Sequence, residues 1–129
     1  MSDITWLGST LGDISDLTNY SSAPTPADTI LVDSVAAVNY PTGNDSIGAN
    51  WQFSDSQNTG LVTNQATLNP AAGNIITFNN TANYGNINLT QSGGVILTGN
   101  SINYSVIKDD GTCTVALTGT AQNNGSISA

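Results

Sequence analysis

Short apolar runs recur through the second half of the chain: Ile75-Ile76-Thr77-Phe78, Ile87-Asn88-Leu89, Val95-Ile96-Leu97, Ile102-Asn103-Tyr104-Ser105-Val106 and Cys113 to Leu117. Several alternate with period two, the pattern of a strand that buries one face. Between them lie Asn-Asn, Gly-Gly, Gly-Asn and Asp-Asp-Gly, residues that accept the positive φ of tight turns. The runs start at 75, 87, 95, 102 and 113, giving steps of 12, 8, 7 and 11 residues. This spacing is repetitive without being a fixed repeat.

The first half is less regular. Asp28 to Asp33 predicts a strand, preceded by Pro24-Thr25-Pro26, and Trp51-Gln52-Phe53 and Leu61-Val62-Thr63 predict two more. Leu11, Ile14 and Leu17 have helix-compatible spacing, which predicts a short turn or cap helix before Tyr20. Tyr40 to Asp45 has the composition of a loop. No interdomain linker interrupts residues 1–129, so a single domain is expected, with 1–33 as a candidate cap or attachment segment.

The fold class is therefore all-β. Two architectures fit: a short parallel β-helix, or solenoid, and a β-sandwich or jelly roll. Steps of seven or eight leave three or four residues for a turn, which suits hairpins and triangular rungs equally. The outward positions favour the solenoid. Thr and Asn stack without the repulsion that like charges meet when layered about 4.8 Å apart.

Composition narrows the chemistry. Lys108 is the only basic side chain, there is no His, and all nine acidic residues are Asp, for a net charge of −8. Without His, the side chain whose ordinary pKa lies near neutrality is missing. Nucleic acid is not expected as a partner, because counterion release needs Lys and Arg. An anionic membrane would repel the chain for the same reason. Cys113 is alone, so no intrachain disulfide forms; its alternation with Val115 and Leu117 predicts a small core residue rather than a nucleophile. The first residues show no basic or apolar leader, and if that start is native the protein is made in a cytoplasm.

Trp6-Leu7-Gly8, Gly12-Asp13-Ile14-Ser15-Asp16, Asn19-Tyr20 and Pro26 to Val32 form a series at the N-terminus. It resembles the opening rung of bacterial β-helix surface proteins such as autotransporter passengers, with Ile14 and Tyr20 where tryptophans are usual. The resemblance covers about a quarter of the chain and implies a capped solenoid rather than an activity. In bulk composition the chain also looks similar to phage fibres, spikes and head-decoration proteins. That likeness implies a non-enzymatic virion component made in the host cytoplasm. Its partners would be itself, as a homotrimer, and other virion proteins such as the major capsid protein.

Candidate contacts and carboxylates complete the picture. Trp6, Tyr40 and Tyr84 are the candidate surface contacts, and glycans are the partner that exposed aromatics suit. Tyr104, in phase with Ile102 and Val106, reads instead as core. An adhesive or carbohydrate-binding module of a bacterial surface protein, extracellular or at the cell surface, is the second reading. Asp13 with Asp16, and Asp109 with Asp110, are the closest carboxylate pairs; turn chemistry explains them best, ahead of calcium ligation or glycoside hydrolysis. No cofactor, metal or catalytic set is expected, and an Asp-dependent glycan hydrolase is the third reading.

Overall fold

The computed structural model describes residues 3–9, 11–45 and 48–128. The chain coils into a parallel β-solenoid of about 5 turns, with almost no helix. Among the described residues there are fifteen strands, β1 to β15 in chain order, forming three parallel sheets. The first sheet stacks β1 (Asp3–Thr5), β2 (Thr29–Asp33), β4 (Asn50–Ser54), β7 (Ile75–Asn79), β10 (Gly94–Thr98) and β13 (Thr114–Leu117). The second contains β5 (Thr63–Asn64), β8 (Ala82–Asn83), β11 (Ile102–Asn103) and β14 (Gln122–Asn123). The third contains β3 (Asn44–Asp45), β6 (Thr67–Leu68), β9 (Ile87–Asn88), β12 (Val106–Lys108) and β15 (Ser126–Ser128).

Inward residues stack in columns. On the first sheet Ile30, Trp51, Ile76, Val95 and Val115 lie in register, as do Val32, Phe53, Phe78, Leu97 and Leu117. On the third, Leu68, Ile87, Ile107 and Ile127 follow one another. Phe53 and Phe78 stack at 4.9 Å with their rings 10° apart. Each fully buried side chain of this size contributes about 1.5–3 kcal/mol.

The second sheet buries a polar column instead. Asn64, Asn83 and Asn103 are wholly buried, yet every one is satisfied. The Asn64 amide donates to Asn83 Oδ1 at 2.9 Å, Asn83 to Asn103 at 2.8 Å, and Asn103 to Asn123 at 2.8 Å. The second amide hydrogen of each goes to the carbonyl two residues on, of Ala66, Gly85 and Ser105 respectively. The ladder thus fixes both the rung spacing and the corner between the second and third sheets. Its steps of 19, 20 and 20 residues set the length of one rung.

Thr81 breaks this completeness. It is buried, and its hydroxyl has no hydrogen-bond partner among the described residues. A buried unpaired polar atom costs about 1–3 kcal/mol. Thr81→Val, which supplies a methyl in place of that hydroxyl, is expected to raise the unfolding free energy by about 1 kcal/mol in urea titrations. Unchanged or reduced stability contradicts the assignment.

The N-terminal end is closed. Trp6, Ile14 and Tyr20 are buried against Trp51, with Trp6 and Tyr20 edge to face at 5.0 Å. The expected cap helix is only a single 3₁₀ turn, Leu17–Asn19, started by the Asp16 carboxylate accepting from Thr18 N–H. Of the helical series Leu11, Ile14 and Leu17, only Ile14 is buried. The spacing therefore marked one inward anchor and two exposed loop residues.

Candidate contact surfaces

The outer face of the second sheet gathers the exposed aromatics. Because Asn83 and Asn103 point inward, Tyr84 and Tyr104 point outward, 51% and 43% exposed. Their rings stack at 4.9 Å, only 5° from parallel. Tyr84 thus lies where the sequence placed it, but Tyr104 does not: it is surface rather than core. The error is one of phase. Ile102, Tyr104 and Val106 do share a side, and it is the outer one, while Asn103 and Ile107 face in. A polar residue can take the buried position here because the ladder satisfies it.

Tyr40 is half-buried and lines an open cleft of about 520 Å³ with Leu11, Leu61, Thr63 and Gln65. Burial, then the nearby charges of Asp55 and Asp33, push its phenol pKa up, so it stays a neutral donor. A second cleft of about 180 Å³ lies beside it, shares Gly60 and Thr63, and is lined by Tyr84 and Tyr104. Tyr40 and Tyr84 therefore belong to one neutral strip. Trp6 does not, and the expectation of a surface contact there is corrected: it is fully buried in the cap, its indole N–H donating to Asn39 O at 2.7 Å. The aromatic plug at the solenoid's end accounts for it.

The carboxylates hold turns. Asp13 Oδ1 accepts from the backbone and hydroxyl of Ser15, and these bonds lower its pKa. Asp16 accepts from Thr18. Asp33 and Asp55 line a third cleft, of about 440 Å³, with Ser54, Ser56, Asn58 and Asn79. Burial raises both, but hydrogen bonds outweigh it: Ser56 and Ser34 on Asp33, and the Thr59 and Gly60 amides, chiefly, on Asp55. Both pKa values end below the ordinary one.

Asp109, Asp110 and Cys113 bring ligand atoms within 4.8 Å of one another. The same atoms shape the turn. Asp109 accepts from Gly111 N–H at 2.6 Å, and Asp110 from the Thr112 hydroxyl and amide and from Gln91 N–H. The Thr112 hydroxyl and amide bring the Asp110 pKa down to about 2. Cys113 is half-buried against the core, just before β13, and its thiol lies 3.5 Å from Asp110 Oδ1.

Among the described residues, β13, β14 and β15 are the last strands of their sheets. Leu117 and Ile127 are 39% and 37% exposed, while Leu97 and Ile107, one rung earlier in the same columns, are at 0%. Comparison with protein-family models, curated proteins and solved structures finds no match to this chain.

Proposed function

We propose that this chain is a non-enzymatic structural unit of a virion, such as a capsid decoration protein or a short head or tail fibre. It assembles with copies of itself and docks on other particle proteins. One observation carries the reading: the buried asparagines of the second sheet are spent on stacking, in the Asn64–Asn83–Asn103–Asn123 ladder. A coil tied rung to rung in this way suits a stiff spacer.

The carboxylates support it. A general acid must keep its proton near neutral pH, which takes a raised pKa. Asp13, Asp33, Asp55 and Asp110 are all shifted the other way. A hydrolase built on the Asp33–Asp55 cleft would lack its acid. The net charge of −8 suits a surface that must stay soluble and keep neighbouring particles apart.

Gold-labelled antibody against the chain, applied to material from its source, is expected to decorate assembled particles in electron micrographs. Label confined to a cell envelope would contradict the virion reading and favour an adhesive module. That second reading draws on Tyr40, Tyr84 and Tyr104 sharing one neutral strip. Glycan-array binding that disappears in Tyr84→Ala would support it.

A further inference from the structure

We infer that the neutral strip on the outer face of the second sheet binds a neutral, β-linked glycan whose sugars carry equatorial hydroxyls, as glucose and N-acetylglucosamine do. The inference deepens the glycan-binding reading given above and rests on it. The strip differs from the ladder and the turns in what its polar groups do. There, side-chain amides and carboxylates are tied up, as at Asn83, Asn103 and Asp110. Here they are left over. The side-chain amide of Gln65, the amide nitrogen of Asn80 and the phenols of Tyr40, Tyr84 and Tyr104 have no protein partner among the described residues. The wall of the second cleft also holds Thr81, whose buried hydroxyl is the one such atom without a hydrogen bond among the described residues.

Ring geometry selects the ligand. Gln65, Tyr84 and Tyr104 are outward neighbours in successive rungs, each directly after a ladder asparagine. Tyr104 covers one face of Tyr84, with the ring centroids 4.9 Å apart. The other face of Tyr84 lies toward the rung of Thr63 and Gln65, where the two clefts meet. An aromatic face is apolar and accepts the C–H face of a pyranose. Equatorial hydroxyls leave that face bare and point sideways, where an amide meets them as both donor and acceptor. Adjacent rungs lie about 4.8 Å apart, close to the length of one β-linked sugar, so a chain along the column meets a new rung with each unit.

Charge narrows the class. From Ser56 to Ile107 the chain carries no charged side chain, and none lines the first two clefts. Asp33 and Asp55 stand at the margin: their cleft shares Asn80 with the second one. After burial, their charges are what raise the Tyr40 pKa. An acidic sugar would be repelled there and would find no cation to pair with. An apolar protein face fits less well than a glycan, because it would cover the free amides and phenols without matching them.

Titration calorimetry and amide chemical-shift mapping with cellotetraose and tetra-N-acetylchitotetraose test the site. At least one of these neutral tetramers is expected to bind with a dissociation constant of about 1 mM or tighter. The shifts should fall on Gln65, Tyr84 and Tyr104, and tetragalacturonate should cause none. Tyr84→Ala should weaken binding about tenfold, whereas Tyr84→Phe, which keeps the ring face, should stay within about threefold. Gln52→Ala, on the outer face of the first sheet, should leave binding unchanged. No binding of either neutral tetramer at about 10 mM, or binding indifferent to Tyr84→Ala, overturns the inference. Tetragalacturonate binding that is lost in Tyr84→Ala would overturn the neutral class alone and leave a glycan on the strip. Particle labelling is read independently of all these outcomes.

Discussion

Asn83→Ala is expected to lower the unfolding free energy by about 4 kcal/mol, the cost of leaving several buried polar groups unpaired at roughly 1–3 kcal/mol each. Removing its side chain strands an amide hydrogen of Asn64 and the carbonyl of Gly85, and leaves Asn103 Oδ1 with Ser105 N–H as its one remaining donor. Water cannot readily replace the lost amide, because neighbouring Asn64 and Asn103 are wholly buried too. Since a domain's total stability is about 5–15 kcal/mol, the variant would stand close to unfolding at room temperature. Asn123→Ala, at the exposed end of the same ladder, should cost less than about 1 kcal/mol. Urea titrations of the two variants measure the difference. Equal losses would mean that burial of the ladder matters little.

Phe78→Ala should cost about 3–5 kcal/mol, the range for deleting a buried aromatic ring. Phe78 is fully buried between Phe53 and Leu97 in its column. Neighbouring rungs are pinned by backbone pairing about 4.8 Å apart, so they cannot close over the void. A solenoid transmits stability only between adjacent rungs, and a fault at β7 weakens the joint between its two halves. The variant is therefore expected to unfold over a broader range of denaturant than the wild type, with separate transitions by fluorescence and circular dichroism. Tyr104→Ala removes an exposed ring stacked on Tyr84, and should cost about 1 kcal/mol without broadening.

How much of this was legible follows from where the information sits. The long strands of the first sheet stand out in the sequence because their inward residues are aliphatic or aromatic: Ile76 and Phe78, Val95 and Leu97, Trp51 and Phe53. Two-residue strands such as Ala82–Asn83 or Gln122–Asn123 have no room for alternation, so nothing marks them. Ile102 to Val106 reads as one strand but turns a corner, giving Ile102–Asn103 and Val106–Lys108. The uneven steps between runs arise because the chain visits three sheets in turn. Compared within one sheet, Ile76, Val95 and Val115 fall 19 and 20 residues apart. Earlier rungs are longer, with Ile30, Trp51 and Ile76 separated by 21 and 25 residues, which hides the period in the first half.

Among the candidate contacts, the exposure of Tyr84 was legible because a turn signal follows it. Trp6 was misplaced because no local signal shows that Ile14 and Tyr20 close over it. The Asn ladder was the hardest to see. Asn is common throughout this chain, and only the spacing of Asn64, Asn83, Asn103 and Asn123 separates the buried column from the rest. No residue pattern in the sequence sets the number of copies in an assembly.

The most direct test is hydrogen exchange of side-chain amides, followed by NMR in heavy water. If stacked asparagines bind the rungs together, the amide protons of Asn64, Asn83 and Asn103 will persist for hours, while those of outward-facing Asn124 vanish within the dead time. Equally fast loss from all four would show that water reaches the column, and the coil would then be held by its apolar columns alone.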